Sequence, residues 1–377
     1  MVEYLIFGWL ISYCIIALIK PLFVRAGWVD EPVRPWHPMG AEVTSGGLSL
    51  LGTLFIGLLG LHSGASEIIV VLGIFTLMFG VGFLNDRGLF RSRLRLIGQI
   101  VASLVLVVGT SAAAHKVQIA SGFDLATAPH LGLCVATVWM VAVINAFDIS
   151  PSSDTVTCGY SVVALLAVLV VNWLDDGALL RSSPIVYSTA LISLAALVGF
   201  FLYNFRLFGQ RLSRSFLGHG GNMLLGTMLA WTLLEVGASK LDKPLSFWFA
   251  AWLVAIPVFD AGFGALAHLT HRRDPLYPRY EHLYHLLRRL DFSRRQIALT
   301  VYCSSIGLAA IGVGFWYWSA PEYVACYLFV MSFGLYSGIV ATGWSIASDE
   351  SLWRKTRFTR SVVTRQGEPS IQERASH

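Results

Sequence analysis

The 377-residue chain is 55% hydrophobic and 13% charged, with a mean hydropathy of +0.66. Soluble domains carry about 25% charged residues, so this composition excludes a water-soluble globule and calls for a lipid-facing exterior. The net charge of +5 is spread over several short loops, which argues against a nucleic-acid partner.

Apolar runs of roughly 17–25 residues recur along the chain and predict membrane-spanning helices. Eleven are predicted, near residues 3–20, 46–61, 67–84, 94–113, 131–147, 158–173, 184–204, 216–236, 245–269, 296–317 and 321–346. The first run lacks a basic leader and a small-residue cleavage site, so it reads as a retained helix. The expected fold is all-α, a polytopic helical bundle of about eleven transmembrane helices.

Lys and Arg positions set the orientation. With the N-terminus outside, 23 of the 27 basic residues fall on the inside; Lys116, Arg181, Lys240 and Lys243 do not. The C-terminus is then cytoplasmic. Residues 1–348 form the expected membrane domain, and 349–377 a basic cytoplasmic tail. The five cysteines include no Cys-x-x-Cys pair, so neither a disulfide framework nor a zinc ribbon is indicated.

Four polar clusters interrupt the apolar pattern, all at predicted inside ends. The first is Asn85-Asp86-Arg87. Its carboxylate suits a metal or a proton, or simply caps the next turn. The second runs from Asn145 through Asp148 to Asp154 with no Lys or Arg inside it. It suits a divalent cation, or is a solvated Ser/Pro/Asp turn. The third is Gly218-His219-Gly220-Gly221-Asn222. Here glycines bring N–H groups to a phosphate at a helix N-terminus, or let helices pack closely. The fourth, His282-Leu283-Tyr284-His285, lies in the largest basic loop, with its histidines three apart on one predicted helical face. It suits diphosphate, proton transfer or metal, or an interfacial helix.

Taken in order, the clusters resemble the motifs of the polyprenyl-phosphate N-acetylhexosamine-1-phosphate transferase family, especially its undecaprenyl-phosphate GlcNAc-1-phosphate branch. Supporting stretches are Gly27-Trp28-Val29-Asp30-Glu31-Pro32, Arg34 and His37 ahead of Gly46-Gly47, Asn204, Ile256-Pro257-Val258-Phe259-Asp260, and Asp291-Phe292-Ser293-Arg294-Arg295-Gln296. The resemblance implies transfer of a sugar-1-phosphate from a UDP-sugar to a polyprenyl phosphate such as undecaprenyl phosphate. It implies Mg²⁺ (or Mn²⁺), contact with membrane lipids, an inner-membrane location with a cytoplasmic active face, and a homodimer, since family members are often dimers. It assigns catalysis to Asp86, Asp148 and Asp154, and metal binding to Asn85, Asp86, Asn145 and His219. Diphosphate or substrate binding falls to His282, His285, Arg279, Gly218, Gly220 and Asn204.

The chain departs from the family pattern at specific positions. Asn85 stands where the family has the first of two aspartates. Asp148 stands for an Asn, Pro151 and Ser152 for an Asp-Gly, Thr155 for a Gly, His219 for a metal-binding Asp, and Tyr284 for a His. Mg²⁺ prefers oxygen ligands, whereas His suits softer metals. Asp148, one helical turn from Asn145, is placed to replace a lost carboxylate. A non-catalytic relative that binds polyprenyl phosphate or a partner enzyme is the alternative expectation. A transporter fits less well, because charges are scarce within the spans.

Overall fold

A computed structural model describes residues 2–28, 43–89, 92–110, 118–120, 123–124, 129–149, 154–204, 215–238, 246–270 and 282–348. Fourteen helices follow in chain order: α1 (Val2–Arg25), α2 (Ser45–His62), α3 (Ser66–Asp86), α4 (Ser92–Gly109), α5 (Pro129–Ile149), α6 (Asp154–Leu174), α7 (Ala178–Ser182), α8 (Pro184–Asn204), α9 (Gly218–Ala238), α10 (Phe247–Leu253), α11 (Ala255–Thr270), α12 (Leu283–Arg289), α13 (Arg294–Tyr317) and α14 (Glu322–Ser348). Two short strands, β1 (Gln118–Ala120) and β2 (Phe123–Asp124), pair antiparallel between α4 and α5. The expected 349–377 tail lies outside the described residues.

Among the described residues, nine helices are long and apolar enough to cross a membrane, and α10 with α11 makes a tenth crossing bent by 90°. The bend divides the run predicted as one straight span. Pro257 has no N–H to give the carbonyl of Leu253, four residues back. The helix therefore stops at Val254 and restarts with Pro257 in its first turn, where proline is tolerated.

The remaining predicted span corresponds to α9, which is 21 residues long but falls outside the apolar set. Its position explains its polarity. It packs against α2, α3 and α5, and is buried along nearly its whole length. A helix enclosed by protein can hold Gly, His, Asn and Thr that lipid would penalise. The outer helices show the opposite pattern. Leu299, Ile306, Met331 and Leu335 stand exposed on α13 and α14 as an apolar exterior, the surface that lipid covers.

Close approach of α9 to its neighbours is a glycine effect. A Cβ on Gly47 of α2 would lie 2.7 Å from the Gly221 backbone, and one on Gly82 of α3 would lie 2.5 Å from the His219 carbonyl oxygen. Some polar groups in this interior are satisfied across helices. Trp231 Nε1 donates to Thr110 Oγ1 at 3.0 Å, and Ser12 Oγ to the Ala196 carbonyl at 2.9 Å. At the start of α13, Ser293 and Gln296 form a reciprocal capping box.

The contact between α3 and α9 is backbone against backbone, so a side chain cannot be absorbed by rotamer change. We expect Gly82→Val to destabilise the folded protein by about 1–3 kcal/mol or more. The measurement is thermal unfolding of detergent-purified protein, with Gly80→Val as control, because nothing lies within 4 Å of a Cβ at Gly80.

Candidate active site

Three of the four polar clusters meet at one end of the bundle. They arrive on the C-terminal ends of α3 and α5 and the N-terminal end of α9. The entry to α9 is fixed by a short backbone latch: Phe216 N–H donates to the Val43 carbonyl at 2.9 Å, and Gly46 N–H to the Phe216 carbonyl at 2.8 Å. Ser45 and Ser215 hydroxyls lie 2.8 Å apart, and Asn204 Oδ1 accepts from the Ser215 N–H at 2.9 Å. Asn204, expected to bind substrate, thus braces the segment leading into the site. Gly218 takes a left-handed φ of 67°, which glycine alone adopts freely.

Asp86 caps α9 from a neighbouring helix. Its Oδ1 accepts from the His219 N–H at 3.0 Å and its Oδ2 faces the Gly220 N–H at 3.4 Å. A Cβ on Gly218 would come within 2.8 Å of the same carboxylate. Gly218 therefore admits a carboxylate of the protein itself to the positive end of the helix, while Gly220 makes room for the α3 backbone at Phe79 and Phe83. The predicted phosphate position at that N-terminus is taken by Asp86.

Asp148 has no side-chain exposure and holds two partners. His219 Nδ1 donates to its Oδ1 at 2.6 Å, and the Arg95 guanidinium sits 2.9 Å from its Oδ2. Arg95 is itself only 12% exposed, whereas the His219 side chain is 43% exposed. His219 is thus the member of this group that reaches out of the packed interior. Two departures from the family pattern, Asp148 and His219, prove to be bonded to each other. An acid is absent at one position, an acid is present at the other, and the new pair closes the gap.

Asn145 turns its Nδ2 to Gln99 Oε1 at 2.7 Å and to the Val141 carbonyl at 2.8 Å. Asn85 is half-buried on the last turn of α3, next to Asp86. Asp154 begins α6, with its side chain outside the described residues, as is all of Arg279. Arg87 does not enter the cluster; its guanidinium lies 5.2 Å from the Trp28 ring centre and 5.3 Å from that of Phe83, a cation–π anchor.

The fourth cluster is divided. His282 precedes α12 instead of sharing a helical face with His285. It is 5% exposed, and its Nδ1 lies 3.1 Å from Asp260 Oδ2. Asp260 Oδ1 also accepts from the Leu283 N–H at 2.9 Å and the Tyr336 hydroxyl at 2.8 Å. This buried knot ties α12 to α11 and α14, which makes His282 a positioning residue. His285, half-buried beside Tyr284, is the histidine nearer to solvent.

Arg95 and Gln99 were missed as site residues. Arg95 reads as one of several loop arginines, but the two stand four apart on α4, on one face, and Gln99 is fully buried in an apolar helix. A buried Gln in line with an Arg was the available signal.

Among the described residues, the donor set does not fit a magnesium ion. Such an ion takes oxygen ligands in near-octahedral order. Here both Asp148 oxygens face nitrogen donors, Asp86 faces backbone N–H groups, Asn145 points its amide nitrogen at Gln99, and His219 offers nitrogen. Among the described residues, no group of three or more His, Cys, Asp or Glu side chains is arranged to hold a metal.

Removing Asp148 would leave Arg95 buried without its counter-charge. We expect Asp148→Ala to lower stability by about 3–5 kcal/mol, the typical effect of breaking a buried pair from one side. The double variant Arg95→Gln/Asp148→Asn should recover part of that loss. Thermal unfolding of the single and double variants measures both effects.

Comparison with known proteins finds similar sequences. Residues 68–237 match the family model described as glycosyl transferase family 4. That stretch begins within α3 and ends within α9, and so contains Asp86, Arg95, Asn145, Asp148 and His219. The chain is similar to the undecaprenyl-phosphate alpha-N-acetylglucosaminyl 1-phosphate transferase of Escherichia coli (strain K12), with 29% identity over 86% of each chain. It resembles the protein of that name in Salmonella typhi at 27% identity over 88% of this chain and 89% of the relative. The Pasteurella multocida protein is 28% identical over 91% of this chain and 94% of the relative. The chain is thus similar to glycosyl transferase family 4 over residues 68–237, and to these relatives over most of its length.

Proposed function

We propose that the protein transfers a sugar-1-phosphate from a UDP-sugar to undecaprenyl phosphate, as the names of its relatives describe for them. In this reaction an oxygen of the lipid phosphate attacks the phosphorus that carries the sugar. The bond from that phosphorus to the bridging oxygen breaks, and UMP leaves. The product is an undecaprenyl diphosphate sugar. One substrate is a lipid and the other is water-soluble, so a site at a helix-bundle end on a membrane surface suits both. The positive-inside bias favours the cytoplasmic face of a bacterial inner membrane for that site.

The observation that carries this reading is the Asp148–His219 pair at 2.6 Å. In the neutral ring, a proton on Nδ1 directed at Asp148 leaves Nε2 as an acceptor on the more exposed side. That is the arrangement of a general base oriented by a carboxylate. We assign Nε2 of His219 to receive the remaining proton of the lipid phosphate. Asp148, which has no exposure, positions the ring. Asp86 positions the same residue through its backbone N–H. No step is derived through a divalent ion, because the described donors do not fit one.

The test is release of UMP by purified protein in detergent from UDP-GlcNAc and undecaprenyl phosphate. Release should require the lipid, and His219→Ala should lower kcat by about 10²–10⁴-fold, the usual contribution of a general base. Thermal unfolding of the variant separates loss of the base from loss of the fold. No UMP from any UDP-sugar in the presence of the lipid would reject catalysis and leave a binding relative.

A further inference from the structure

The site carboxylates that are expected to gather a divalent ion are already engaged by cations and donors of the chain itself. Arg95 lies 2.9 Å from Asp148 Oδ2 and His219 Nδ1 lies 2.6 Å from Asp148 Oδ1. Asp86 is drawn to the α9 backbone by the N–H groups of His219 and Gly220. A metal bridging Asp86 and Asp148 would have to share Asp148 with a guanidinium that carries its charge at all working pH values. Like charges at such a separation repel strongly where exposure is low. Displacing Arg95 would place its charge in a mostly buried position without a partner.

We infer that this chain works without a divalent ion, its positive charge being supplied by Arg95, which Asp148 holds in place. The inference deepens the transferase reading above and rests on it for the identity of the ligand. A guanidinium has five N–H donors in a planar fork matched to phosphate oxygens, and Asp148 engages only part of that set. The side chain that reaches outward from the same carboxylate, His219, offers its Nε2 to the lipid phosphate proton. A diphosphate arriving here meets the Arg95 guanidinium where an ion-dependent site would present Mg²⁺. Asn85 is consistent with this plan. An amide next to Asp86 adds no second negative charge that would need an ion to offset it.

Two binding measurements on the detergent-purified full chain test the inference. Mn²⁺ is titrated in and followed by the loss of the free-ion electron paramagnetic resonance signal. Binding of UDP-GlcNAc is measured by calorimetry in EDTA and in excess Mg²⁺. We expect no stoichiometric Mn²⁺ binding and UDP-GlcNAc affinities within about twofold of each other, a difference below ~0.5 kcal/mol. One Mn²⁺ per chain that Asp86→Ala removes would overturn the inference. So would UDP-GlcNAc binding that disappears in EDTA and returns with Mg²⁺. Absence of Mn²⁺ binding together with absence of UDP-GlcNAc binding in both buffers would uphold the ion-free site and reject the transferase reading.

Discussion

A carboxylate without exposure at the end of a membrane helix must be neutralised inside the protein, and Asp148 is that carboxylate. Its two partners come from different helices, Arg95 from α4 and His219 from α9, so one charge ties three helix ends together. Asp86 adds the fourth by capping α9 from α3. These contacts are possible only because Gly47, Gly82, Gly220 and Gly221 let the helices approach to backbone distance. Site and packing are therefore one construction. The same glycines that suggest a phosphate loop are what allow an internal acid to occupy the helix N-terminus.

Much of the fold was legible in the sequence because bilayer thickness sets run length. The nine apolar helices were readable as uninterrupted runs. The bend before Pro257 was not, since an apolar run does not reveal where a missing N–H will break it. The polarity of α9 was readable as a cluster but not as a consequence of burial. At the site, the order of motifs pointed to Asp86, Asn145, Asp148 and His219. Arg95 stayed hidden because arginines near helix ends are common on the inner side of membrane proteins, and nothing local marks one as turned inward. His282 and His285 looked equivalent at spacing three. The start of α12 at Leu283 separates them, one into a buried ion pair with Asp260 and the other toward solvent.

The departures from the family pattern change meaning once they are seen in space. Residue by residue, His219 and Asp148 read as a lost ligand and a stray acid. Together they form a single pair at 2.6 Å, supported by Arg95. An oriented imidazole performs proton transfer well and magnesium coordination poorly. The chemistry that the residues favour thus moves from an ion held by acids to a base held by an acid. Similarity to the relatives supports the proposed reaction class, while these side chains bear on how this chain would carry it out.

The most direct test of this account is the initial rate of UMP release from UDP-GlcNAc and undecaprenyl phosphate in chelator, comparing the wild type with Arg95→Gln. The account predicts that wild type turns over in EDTA at a rate close to that in Mg²⁺, and that Arg95→Gln loses most of its activity in both. Turnover by wild type only when Mg²⁺ is present would contradict it.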